Sequence, residues 1–122
     1  MNTRQALGHW GESLAAEFLQ AQGYTIVGRN VRTPYGEIDL IAAWPTPPTW
    51  VFIEVKTRRS ARFGMPEDAV NARKQEHLRS AIEYYLQQSP EYSGETRVDV
   101  IAIQRYPPDE PPIITHFENV LS

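Results

Sequence analysis

A chain of 122 residues, 41% hydrophobic and 22% charged, is long enough to bury a core and too ordinary in composition to be disordered, fibrous or repetitive. Its formal net charge of -3 argues against indiscriminate binding to polyanions, and the absence of cysteine excludes disulfides, thiolate catalysis and Cys-type zinc sites. No apolar run approaches the ~20 residues that span a bilayer, and Gly11, Glu12 and Ser13 interrupt any signal-like core at the start, so the expectation is one cytoplasmic domain over residues 1–122 with no membrane partner.

The first expected element is a helix over 4–22, ended by Gly23, with Leu7, Gly11, Leu14, Phe18 and Ala21 on one face. Glu12 falls among Gly8, Ala15, Ala16 and Leu19 at the shoulder of that face. It is either an ordinary boundary glutamate or an acid that reaches toward the sheet. "YTIVGRNVR" reads as a β-branched strand, and "TPYG" as the turn after it. Two further strands follow, over 37–44 and 50–57, joined by the proline-rich "PTPPT", which is too broken to pair within a sheet.

"RRSARFGMPED" is a loop leading into a second helix over 67–88, with Lys74, Leu78, Ala81 and Tyr85 on one stripe. Lys74 either snorkels past the sheet edge or touches phosphate. After the turn "SPEYSGE", the stretch "TRVDVIAIQR" reads as another strand, "PPDEPP" breaks the chain, and "IITHFENVL" is an edge strand or a terminal turn. The order predicts an α/β fold, a mixed sheet flanked by helices. Trp10, Trp44 and Trp50 are available for a core, a hairpin end or a homodimer contact.

The two central strands are apolar enough to be internal, yet they carry Glu37, Asp39, Glu54 and Lys56. Burying charge costs several kcal/mol or more unless it is paired or holds a metal. Strand alternation puts Glu37, Asp39 and Ile41 on one face and Ile38 and Leu40 on the other; Phe52, Glu54 and Lys56 share a face opposite Val51, Ile53 and Val55. If the strands pair, Asp39 and Glu54 lie close. Two carboxylates ~4 Å apart repel by roughly 4 kcal/mol at an effective dielectric near 20, so such a pair holds a proton or a cation. Hard oxygen donors select Mg²⁺ or Mn²⁺, and Lys56 beside them is placed to stabilise charge on a phosphate. The competing reading is a cross-strand ion-pair face, which sits poorly with a strand apolar on both sides.

Charge is unevenly spread. Residues 1–80 carry ten of the twelve Lys/Arg and eight of the fifteen acids, and "KTRRSAR" holds four cations and no acid. That run is a solvated loop or a basic edge for a phosphate ligand. The three histidines have no metal-ligand spacing, and there is no phosphate-loop, dinucleotide or nucleophile-elbow motif.

Taken in order, "GHWGESLAAEFLQAQGYTIVGRNVR", "GEIDLI", "VFIEVKTR", "FGMPEDAV", Lys74 and "RVDVIAI" resemble the YraN-like family of uncharacterised bacterial proteins, over nearly the whole chain. That family looks like a branch of the PD-(D/E)xK nuclease superfamily, akin to archaeal Holliday-junction resolvases and restriction endonucleases. The resemblance implies a restriction-endonuclease-like fold. It also implies a Mg²⁺- or Mn²⁺-dependent endonuclease acting on DNA, on branched or damaged forms. By it, Asp39, Glu54 and the Val55 carbonyl would bind metal, Glu12 would support the metal or its water, and Lys56 would stabilise the transition state. Arg58, Arg59, Arg62 and Lys74 would hold phosphates. One departure from the superfamily pattern is Ile38, rather than proline, before Asp39. The alternative is a non-catalytic module of the same fold that docks on nucleic acid or a protein partner.

Overall fold

The computed structural model describes residues 3–58, 72–105, 107 and 109–121. In chain order these form α1 (Thr3–Ala21), β1 (Thr25–Thr33), β2 (Gly36–Trp44), β3 (Thr49–Arg58), α2 (Ala72–Gln87), β4 (Glu95–Gln104) and β5 (Ile113–Phe117). The five strands make one sheet in sequence order. All neighbours are antiparallel except β3 and β4, which run parallel because α2 carries the chain back between them. The fold is therefore α/β with a mixed sheet between helices, as the sequence predicts, and the terminal "IITHF" is an edge strand. The first residues of the expected second helix, 67–71, lie outside the described part. No described helix is long and apolar enough to cross a membrane.

Each face of the sheet has its own core. On the α1 side, Ala15, Ala16, Leu19 and Tyr24 pack on Leu40, Ala42, Val51, Ile53, Ile101 and Ile103. On the α2 side, Leu78, Ala81 and Ile82 pack on Ile38, Ile41 and Phe52. The three tryptophans all find partners within the chain: Trp44 against Tyr24, Trp50 stacked on Tyr92, and Trp10 beneath the Arg105 guanidinium.

Two helix stripes differ from expectation. The buried face of α1 centres on Gly11, Ala15, Ala16 and Leu19; Leu14 and Phe18 are half-buried and Ala21 is exposed. Small residues take the centre because α1 lies hard against β3, where a Cβ on Gly11 would collide with the Thr57 hydroxyl. That rotation brings Glu12 with it, half-buried on the sheet side. On α2, Ile82 joins the expected Leu78 and Ala81 in the core, while Lys74 is exposed.

The alternation expected along β2 also fails, at one place. Leu40 and Ala42 face α1, but Ile38 sits with Ile41 on the α2 side. β1 changes face at the matching point: Arg29 reaches Ser13 of α1, whereas Val31 packs on the α2 side. The ladder pairs Arg29 with Leu40 and Val31 with Ile38, and between them stand Asn30 and Asp39. Asn30 has a φ of 48°, a left-handed conformation that asparagine tolerates better than most residues. The pleat turns over there.

A buried polar knot ties β4 to β5. Asp99 is fully buried and receives Nε and a terminal nitrogen of Arg97 (2.9 Å each), the Asn119 backbone N–H (2.9 Å) and a hydrogen bond with His116 Nε2 (2.7 Å). Arg97 also donates to the Tyr24 hydroxyl (2.7 Å). Burial alone would push the Asp99 carboxyl up, but these donors outweigh it and hold it below the ordinary range.

Replacing Gly11 by alanine normally stabilises a helix interior by about 0.5–1 kcal/mol. Here the added methyl has no room against Thr57, so Gly11→Ala is expected to cost about 1–3 kcal/mol by overpacking. A urea midpoint that does not fall would mean that α1 can back away from β3 freely.

Candidate active site

β2 and β3 are joined by a hairpin but do not stay together. Their ladder runs from Trp44–Thr49 to Leu40–Ile53 and stops, although β2 begins at Gly36 and β3 continues to Arg58. Past that point β3 remains paired with β4 out to Arg58–Gln104, while β2 stays with β1 as far as Thr33–Gly36. The sheet opens into a fork. At its crotch the Asp39 carboxylate takes the place of the lost ladder bond, accepting the Val55 N–H at 2.8 Å. The same break in pleating that removes Ile38 from the α1 face thus leaves Asp39 between the two prongs.

Acids gather around it. One oxygen each of Glu12 on α1, Glu37 on β2 and Asp39 lies within 4.8 Å of the others, a spacing that could hold a metal ion. Glu54, on the other prong, is close enough to act on Asp39 electrostatically. Burial first, then the charge of Glu54, with smaller contributions from Glu12 and Glu37, push the Asp39 carboxyl up to about 8, against the single lowering effect of the Val55 N–H. Glu54 itself pairs with Lys56 Nζ at 3.2 Å, both side chains being largely covered. Lys74 on α2 joins this end. Its ammonium is held below the ordinary lysine value first by the hydrogen-bonding contact with Lys56, then by burial, and Glu54 opposes the shift.

The group is bounded by two hollows. One, of about 330 Å³, opens on the α1 side and is lined by Gly8, His9, Glu12, Asn30 and Glu37 among others. The other, about 170 Å³, lies toward α2 and reaches Glu37, Glu54 and Lys74. Glu37 borders both. The donor set is wholly carboxylate oxygen, which suits Mg²⁺ or Mn²⁺ rather than softer metals, and the pressure on Asp39 is of the kind a cation relieves.

Glu12, Asp39, Glu54 and Lys56, drawn from three separate elements, are brought to one corner. Val55 is there through its N–H. Arg58 is half-buried at the far end of β3, and Lys74 approaches from α2; Arg59 and Arg62 lie outside the described residues. Two further residues that carry no motif signal take part. Glu37, one of the charges in the apolar strands, stands with the acids. Asn30 Nδ2 donates to Glu12 Oε1 at 2.8 Å and to Glu37 Oε1 at 3.1 Å. A hint existed: asparagine is depleted in strands, and "GRNVR" places one inside a β-branched run.

The α/β sheet thus forks at its centre, with acids from the first helix and both prongs meeting at the crotch and a lysine alongside. The chain belongs to the uncharacterised protein family UPF0102, whose model matches residues 11–103, from the middle of α1 through all but the end of β4. It is 48% identical over 97 residues to a UPF0102 protein of Syntrophomonas wolfei, covering 80% of this chain and 83% of that one. It is 45% identical over 103 residues to one from Caldicellulosiruptor saccharolyticus (84% and 85%), and 43% identical over 102 residues to one from Syntrophotalea carbinolica (84% and 81%).

Two outcomes follow from the electrostatics. Because Asp39 binds its proton more tightly folded than unfolded, its contribution to stability is present at low pH and is lost as pH rises from the ordinary 3.8 toward about 8. Metal-free Asp39→Asn is therefore expected to melt above wild type at pH 8, with the gap closing toward pH 4, and Mg²⁺ should raise only the wild-type melting temperature. A gap that is the same at both pH values would contradict this. Asn30→Gly keeps the left-handed backbone cheaply and deletes both donors to the acids, so Mn²⁺ affinity, followed by calorimetry, should fall by about 10- to 100-fold. Unchanged affinity would mean that Glu12 and Glu37 hold their spacing without the amide.

Proposed function

We propose that this protein is a Mg²⁺- or Mn²⁺-dependent endonuclease that hydrolyses DNA phosphodiester bonds. The observation that carries the reading is the convergence at the fork: three carboxylates within ligand spacing, a fourth beside Lys56, and Asp39 under strong pressure to acquire a cation or a proton. Among the described residues Lys56 pairs with Glu54 and Arg32 approaches Glu37 at 4.0 Å, while Asp39 accepts the Val55 N–H and faces Glu54, Glu12 and Glu37.

A divalent ion bound there would supply Lewis-acid stabilisation and a more acidic water. Asp39, with its carboxylate oriented by the Val55 N–H, would hold it together with Glu12 and Glu37, whose oxygens share its spacing, and Glu54 on the opposite prong would join them on the side of Lys56. Water oxygen would bond to phosphorus and give up a proton as the P–O3′ bond breaks and O3′ takes a proton from solvent, leaving a 5′-phosphate and a 3′-hydroxyl, as the superfamily resemblance implies. Lys56, paired with Glu54 and therefore fixed in place, would neutralise charge gathering on the phosphoryl oxygens. Lys74 and Arg58 flank the corner on the sides from which a phosphate backbone would approach, and branched or damaged DNA is the substrate the resemblance suggests.

The experiment is a cleavage panel of single-stranded, duplex, flap and four-way substrates with and without Mn²⁺. Lys56→Ala and Asp39→Ala are each expected to lower the cleavage rate by about 100-fold or more while the protein stays folded. Cleavage by Asp39→Ala at the wild-type rate would end the proposal; tight binding without cleavage of any substrate by wild type would favour a binding module of the same fold.

A further inference from the structure

The hollow on the α2 side has features that the acid cluster does not use. Its floor is apolar, made by Leu78 and Ala81, and its polar side is shared with the site through Glu37 and Glu54. At its lip stands Tyr35, 53% exposed, on the β1–β2 turn. A large aromatic ring left in water at a turn gains nothing in folding from its exposed half.

The turn that carries it is tightly held. The Thr33 hydroxyl donates to the Gly36 carbonyl at 2.7 Å and accepts the Tyr35 N–H at 3.1 Å. Gly36 has a φ of 134°, which a side chain would resist. Tyr84 of α2 meets the Tyr35 ring edge-on, centroids 6.4 Å apart, and so buttresses it. A rigid turn thus presents an open aromatic ring over an apolar recess, and Lys74 and His77 line the same recess.

Resting on the nuclease reading, we infer that this recess is a nucleobase site: a base taken out of its stack, on the nucleotide adjoining the scissile phosphate, lies against Tyr35 above Leu78 and Ala81. Every base offers a flat π-face, so stacking on tyrosine selects an unstacked base without selecting its identity. The shared residues Glu37 and Glu54 put the recess within one nucleotide's reach of the acids. The anionic sugar-phosphate passes Lys74, and the substrate is therefore DNA that is unpaired, or readily unpaired, beside the cut.

The test uses the full chain and oligonucleotides bearing 2-aminopurine at successive positions of an unpaired segment, with Ca²⁺ replacing Mg²⁺ so that binding is read apart from turnover. Wild type is expected to quench the fluorophore at one position, next to the bond cut when Mg²⁺ is restored. Tyr35→Phe should behave as wild type. Tyr35→Ala, which gives up only the edge-on contact with Tyr84 and should stay folded with a slightly lower melting temperature, should lose the quench and bind about 5- to 150-fold more weakly, the span of one lost base–aromatic stack. Equal quenching and affinity in Tyr35→Ala, or no quench in wild type, overturns the site, and cleavage by that same protein would leave the nuclease reading standing. A Tyr35-dependent quench without any cleavage in Mg²⁺ or Mn²⁺ does the opposite: it upholds the site and removes the hydrolytic reading.

Discussion

The hydrogen bond from the Val55 N–H to the Asp39 carboxylate is the contact on which the rest of the site turns. A hairpin whose strands remained paired to their ends would satisfy that N–H with a carbonyl and leave Asp39 on one face of a closed sheet. Here the ladder ends at Leu40–Ile53 and the strands go separate ways. A backbone donor at the crotch must find a partner or cost about 1–3 kcal/mol, and the nearest acceptor is a side chain. One interaction closes the fork and aims Asp39 into it. It also needs the strand to turn over, which the left-handed Asn30 on the neighbouring strand accompanies.

Among the described residues, Asp99 and Asp39 are held in contrasting ways. Asp99 is entirely buried but surrounded by donors from Arg97, His116 and the Asn119 backbone, so its charge is matched and fastens β5 and the following residues to β4. Its own cluster with His116 and Glu118 has metal-like spacing, yet the Arg97 guanidinium already lies against Asp99 and Glu118, at 2.9 and 3.6 Å. Asp39 is less covered, accepts one backbone N–H, and faces other acids. The first arrangement is complete as it stands; the second is strained without a proton or a cation. The contrast separates a structural polar knot from a candidate site more sharply than burial does, since the more buried acid is the one already satisfied.

Packing supports the same geometry from both faces. Gly11 and its small neighbours let α1 approach β3, and it is that closeness that delivers Glu12 to the corner. On the other face, Leu78 and Ala81 seat α2 beside the fork and leave the recess under Tyr35 between helix and turn. Asn30 links the α1 contribution to the sheet's through its bonds to Glu12 and Glu37. The corner is thus assembled from five elements, α1, β1, β2, β3 and α2.

Local patterning was enough to find the elements. Helical spacing marked α1 and α2, β-branched runs marked the strands, and proline clusters marked the breaks, because these signals depend on a residue and its near neighbours in the chain. The charges in apolar strands announced Asp39, Glu54 and Lys56 for the same reason: a carboxylate in "IDLIAA" is conspicuous wherever the strand goes. The face assignments of Ile38 and Ile41 were not legible, nor were the parting of β2 from β3, the place of Glu37 among the acids and the bridging role of Asn30. Each of those is set by register, by a break in the pleat and by how closely a helix approaches the sheet. These are properties of segments far apart in sequence, settled only when the sheet and its two helices pack together.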